Sequence, residues 1–166
     1  MRADARRNRD RLVSVASEVV AEQGAEASLE EIARRAGVGS ATLHRHFPTR
    51  MSLLDAVFAG RVAELCAMAG ELGSTVDPVA ALTRWLGAVV RHAVRNRGLA
   101  TSLLTGTGDS CHAKILAAGE KLVTAAAIRP EATVGDLLKL ANGVALAAGD
   151  DEPTAARLLD LALTGL

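Results

Sequence analysis

Tyrosine is absent from the 166 residues, and the remaining aromatic side chains are one tryptophan and two phenylalanines. Strands draw on aromatic and β-branched residues in two-residue alternation. No such alternation is sustained here, while Ala and Leu fill segments of three- and four-residue period, so the expected class is all-α. Cysteine occurs only as Cys66 and Cys111, without ligand spacing, which excludes a disulfide framework and a zinc signature. No run approaches the roughly 18 apolar residues of a membrane span. The arginine-rich start is followed by LVSVASEVVAEQ, which Glu18 and Glu22 interrupt, so it does not read as a secretory leader. A cytoplasmic protein without membrane contact is expected.

Hydrophobic residues make up 49% of the chain, enough for a buried core, and the formal net charge is zero. That zero hides an asymmetry. Residues 1–50 carry nine arginines against seven carboxylates, whereas residues 51–166 carry ten basic against twelve acidic residues. The first eleven residues, MRADARRNRDR, form a positive arm suited to an anionic partner.

Helix signals divide the chain into about nine helices. The first spans Ala3 to Glu22, with Leu12, Val15, Ala16, Val19 and Val20 inward and Gly24 as its stop. Ser28 and Glu31 have capping-box spacing and open a short helix whose inward face is Leu29, Ile32, Ala33 and Ala36, ended by Gly37. A third helix starts near Gly39 or Ser40, with Ser40 as cap, and ends by Phe47 because Pro48 disfavours helix before it. Thr49 caps a long helix that Gly73 and Ser74 break near Leu72. Pro78 opens the next, with Val79, Leu82, Leu86, Val89 and Ala93 inward. Leu99 to Leu104 is a short helical piece, and Asp109 or Ser110 caps a helix to about Ile128. Thr133 to Ala148 and a last helix with Pro153 at its first position form an αα-hairpin. That hairpin has more apolar surface than one neighbour covers, so docking on its own copy into a four-helix bundle is expected. Leu137, Ala141, Val144, Ala148, Leu158, Leu159, Ala162 and Leu166 would line that dimer interface; the alternative is a hairpin buried only against its own body.

The stretch VGSATLHRHFPTR, residues 38–50, concentrates two histidines and two arginines. At about 100° per residue, Leu43, Phe47 and Ser40 share the inward side and Arg45 points opposite to it. His44 and His46 diverge by about 160°, so they do not share a metal ion. No carboxylate or nucleophile lies on their face to support general-base chemistry, and no enzyme is expected. Residues 108–112 juxtapose Asp109, Ser110, Cys111 and His112, but neighbours at a helix start diverge where a catalytic triad must converge.

The spacing Ala33, Gly37, Leu43 fits a helix-turn-helix, whose second helix enters the major groove of double-stranded DNA. Arg45 is placed for bidentate contact with guanine and Thr42 for a thymine methyl, while Ser40, His44, His46 and Arg50 are placed for phosphates. Arg6, Arg7 and Ser28 complete the expected DNA-facing set. Over residues 8–60, SLEEIARRAGVGSATLHRHFPTRMSLLDAVF included, the chain resembles the N-terminal domain of TetR-type transcriptional regulators. The resemblance implies a DNA-binding domain at residues 1–48 and a helical ligand-binding and dimerisation domain at 49–166. It further implies a homodimer that binds a palindromic operator, most often as a repressor, and is released by a small apolar or amphipathic effector, with no cofactor. At Thr42, Arg45 and His46 it implies DNA contact, and at Arg50 a phosphate contact usually made by lysine. His44 departs from the pattern, standing where the family keeps a tyrosine. Trp85, Val89, His92, Leu103, Cys111 and His112 are the expected pocket residues. A helical small-molecule binding protein whose head no longer binds an operator is the alternative reading.

Overall fold

The computed structural model describes residues 2–24, 26–75, 77–96, 111–128 and 131–164, and among them the chain forms eight helices and no strand. These are α1 (Arg2–Gln23), α2 (Leu29–Arg35), α3 (Ser40–His46), α4 (Arg50–Thr75), α5 (Pro78–Arg95), α6 (Cys111–Ala126), α7 (Val134–Ala148) and α8 (Glu152–Leu163). The expected short helix at Leu99 to Leu104 and the caps Asp109 and Ser110 lie outside the described residues.

Local chemistry sets most of the boundaries. Thr49 Oγ1 accepts from the Ser52 amide at 3.0 Å, and Asp77 accepts from the Ala80 amide at 3.1 Å, with Pro78 directly behind it. Thr133 and Asp136 form a complete capping box at α7, and Asp151 caps α8 through the Thr154 amide. At the end of α7, Gly149 takes φ +62°, a conformation costly for any residue with a Cβ.

Several expectations are corrected. Ser28 accepts from the Glu31 amide, but the reciprocal half of a capping box is not made, because the Glu31 carboxylate turns to Arg34 and Arg35 instead. The cap of α3 is Gly39, and Ser40 is its exposed first residue, so it does not share the inward side of Leu43. Gly73 and Ser74 do not break α4, which continues to Thr75. The helical cost of glycine, about 1 kcal/mol, does not end a 26-residue helix that packs along α6. Val79 is exposed, leaving Ala81, Leu82, Trp85, Leu86 and Val89 to fill the inward face of α5. Pro153 occupies the second position of α8, after Glu152.

One connected core runs from Leu12 in α1 through Phe58 and Leu65 in α4 to Leu159 in α8. Two thiol contacts, Cys111 to the Asp55 carbonyl at 3.3 Å and Cys66 to the Lys114 carbonyl at 3.6 Å, followed by Gly73 against Leu122, show α4 and α6 running parallel. Trp85 sits at the centre with no exposed surface, donating its indole N–H to the Leu65 carbonyl at 3.1 Å. Gly119 of α6 makes room for it: a Cβ there would collide with the Trp85 ring and with Val134. Gly119→Ala should therefore cost about 1–3 kcal/mol of stability, the usual range for overpacking. Urea unfolding followed by the single tryptophan's fluorescence measures it, and an unchanged midpoint would refute the packing described.

Candidate nucleic-acid interface

A seven-residue helix is too short to persist alone, so α3 depends on what holds it. Leu43 and Phe47 anchor its inner side, with 1% and 2% of their surface exposed. The α2–α3 turn is closed by the Val38 amide on the Ala33 carbonyl at 3.0 Å, with Gly37 at φ +64°, where a Cβ would be strained. From α1, the Arg9 guanidinium lies 5.3 Å from the centre of the Phe47 ring, a cation–π contact that ties the first helix to the end of α3.

The outward face carries Ser40, His44 and Arg45, all exposed, with Thr42 half-buried beside them. Arg45 donates from Nη2 to Thr42 Oγ1 at 3.0 Å, so these two side chains are already oriented together. His46 is half-buried, its ring centre 6.4 Å from that of Phe47. Arg6 is exposed on α1, and Arg7 pairs with Asp4. Ser28 is occupied at the start of α2, donating to Glu30 and accepting from the Glu31 amide. Arg50 is half-buried and donates from Nη1 to the Ala27 carbonyl at 2.6 Å, which makes it a brace between α4 and the loop before α2.

An ion network runs along α2 and reaches α1. Glu31 accepts from Arg34 Nε and Nη2, both at 2.8 Å, and from Arg35 Nε at 2.7 Å, while Arg35 Nη1 reaches Glu22 of α1 at 3.0 Å. The hydrogen bonds from Arg34 and then Arg35 hold the Glu31 carboxyl down to about 2 from its ordinary 4.5. The three- and four-residue spacings within α2 are a legible signal. Glu22, thirteen positions from Arg35, is not.

The expected pocket residues are divided between core and surface among the described residues. Trp85 and Val89 are sealed in the core, and the Cys111 thiol is buried against the Asp55 carbonyl. His92 is half-buried on α5, where burial holds its ring below the ordinary 6.5, while His112 is half-buried near the start of α6 and Leu103 lies outside the described residues. Burial also pushes the Cys66 thiol up, opposite to what a reactive thiol needs. The expected dimer residues divide as well. Leu137, Ala141, Val144 and Leu159 are buried in this chain's own core because α5 packs on both α7 and α8. Ala148 and Leu158 are half-buried, Ala162 is exposed, and Leu166 lies outside the described residues.

Known proteins show the same organisation. Residues 12–57 match bacterial regulatory proteins of the tetR family, and residues 77–166 match the SbtR-like C-terminal domain of transcriptional regulators. A crystal structure of a TetR transcriptional regulator from Streptomyces coelicolor is 36% identical, covers 95% of this chain and 97% of that one, and has a TM-score of 0.59. The HTH-type regulators TtgW and SrpR, both of Pseudomonas putida, are each 40% identical over 60 residues, 36% of this chain. Those matches span 45% of TtgW and 28% of SrpR, so the likeness to them is confined to a part of each.

The Glu31 network predicts an acid-sensitive head. With its pKa depressed in the fold, Glu31 contributes stability that is full above its ordinary 4.5 and lost as the pH falls toward about 2. Thermal unfolding of Glu31→Gln should show a lower midpoint than the parent chain at pH 7 and a difference that shrinks through this window. A difference independent of pH would refute it.

Proposed function

Because the chain belongs to the TetR family of bacterial transcriptional regulators, we propose that it is a homodimeric repressor whose two heads bind the half-sites of a palindromic operator and release it on binding a small-molecule effector. In this reading residues 1–48 form the DNA-binding head and residues 49–166 the ligand-binding and dimerisation body, with α4 joining them. No described helix is long and apolar enough to cross a membrane.

The observation that carries the reading is the outward face of α3, where Arg45 stands opposite the buried Leu43 with its guanidinium set by Thr42. Arg45 takes a guanine edge, Thr42 a thymine methyl, and Ser40, His44 and His46 the phosphates alongside. Arg6 and Arg7 add positive charge from α1. Ser28 and Arg50 serve mainly to fix α2 and α4, since their polar atoms are engaged with the protein's own backbone. Any phosphate contact by Arg50 is made from that braced position.

The dimer face is assigned to the side of α7 and α8 that the chain leaves uncovered. Among the described residues, three of the four large apolar side chains most exposed to solvent lie there: Leu140, Leu146 at 84% and Leu161 at 72%. Single exposed leucines are ordinary, but three on one helix pair suit a self-complementary twofold contact.

Two experiments test the proposal. Arg45→Ala should cost about 1–3 kcal/mol of operator binding and relax preference at a single base pair; equal losses on operator and random DNA would refute its assignment. Leu146→Glu combined with Leu161→Glu should give a folded monomer in sedimentation with weakened operator binding. A double variant that remains dimeric places the interface elsewhere.

A further inference from the structure

Trp85 fills the middle of the body, and cavities among the described residues lie to the side of it. A groove of about 460 Å³ opens between α4, α5 and α8, within the roughly 300–1,000 Å³ of small-molecule sites. Its apolar lining comes from Met68 and Leu72 of α4, Val90 of α5, and Leu159 and Leu163 of α8. On α8 the apolar lining residues Leu159 and Leu163 stand about 160° round the helix from Leu161, so the groove and the proposed dimer face use different sides of α8.

Gly87 lies in the α5 wall. A Cβ at this position would stand 3.4 Å from a terminal nitrogen of Arg91 and 4.0 Å from a Leu159 methyl, so the bare glycine lets Arg91 fold back one turn and rest its guanidinium beside the apolar lining. The next arginine on this face, Arg95, is differently employed: its fork grips both oxygens of Glu152, at 2.5 and 3.1 Å. Arg91 makes no hydrogen bond or ion pair among the described residues, and neither does Arg84 at the far end of the groove. Two carboxylates, Glu152 and Asp160, border the same space. Glu152 is gripped by Arg95 and lies within electrostatic reach of Arg91, so two guanidiniums share one carboxylate there and leave a net positive charge.

We propose that this groove binds an organic monoanion, a carboxylate on an extended apolar body, with its head on the Arg91 guanidinium and its body against Met68, Leu72 and Leu159. A guanidinium offers a carboxylate two parallel donors, and the adjoining apolar surface makes that charge-assisted contact stronger than in open water. A neutral head of equal length loses the charge, and a cationic one is repelled by Arg91. Resting on the ligand-responsive reading of the preceding section, the site also explains coupling. The ligand wedges between α4, whose other end braces the DNA head through Arg50, and α8, which bears the proposed dimer face. It lowers DNA affinity to the extent that it prefers the DNA-incompetent arrangement.

Calorimetric titration of the full chain with decanoate, decanol and decyltrimethylammonium tests the site, alongside DNA anisotropy in the presence of decanoate. Decanoate should bind about tenfold or more tightly than decanol, the worth of one charged hydrogen-bonded contact, and the cation more weakly still. Arg91→Gln, a surface change, should bring decanoate down to the level of decanol. Ala156→Phe, on the exposed groove wall, should block both. Equal affinity for the three heads, no detectable decanoate binding, or decanoate binding untouched by either variant would overturn the proposal. Decanoate that binds with the stated preferences yet leaves DNA binding unaltered would instead sustain the site and remove the ligand-responsive reading.

Discussion

The course of α4 is the constraint on which the rest of the molecule depends, and the buried bond from the Trp85 indole to the Leu65 carbonyl is where that course is set. α4 belongs to head and body at once: it packs with α1 and braces the loop before α2 through Arg50, and it packs with α5 and α6. A polar donor placed this deep must be satisfied, and its acceptor is a main-chain oxygen in the middle of the helix, so α5 cannot slide along α4 without orphaning the indole N–H. Gly119 completes the arrangement by letting α6 close over the ring. The same packing leaves a groove between α4, α5 and α8 at the side of the filled centre.

At its other end α4 determines how the recognition helix is presented. Arg50, the first residue of α4, holds the Ala27 carbonyl just before α2. The Glu22–Arg35–Glu31–Arg34 network ties α2 to α1, and Arg9 of α1 covers Phe47 at the end of α3. Each contact is modest, since exposed ion pairs are typically worth no more than about 1 kcal/mol. Together they join the three helices of the head to α4.

Much of this is legible in the sequence wherever local chemistry decides. Serine, threonine, aspartate and glycine signals place the helices, Pro48 ends α3, and angular spacing turns Arg45 outward and Leu43 inward. Legibility fails where the answer depends on which neighbour arrives. Periodicity shows that Leu137, Ala141, Val144 and Leu159 are buried, but not that α5 of the same chain buries them. Gly73 reads as a break because its helical cost is local, whereas the packing of α4 on α6 that tolerates it is not. Trp85 looks like a polar handle in a pocket, since nothing in its own stretch announces the Leu65 carbonyl twenty residues earlier. Arg9 and Phe47, thirty-eight positions apart, cannot be paired by spacing at all.

The central claim is that this arrangement presents α3 to DNA. Its most direct test is the anisotropy of a labelled duplex taken from immediately upstream of the chain's own coding sequence, titrated from about 50 to about 200 mM salt. The account predicts binding that weakens steeply and linearly in log–log form with added salt and resists competition by random duplex. Absence of salt-sensitive binding at the low end of that range would contradict it.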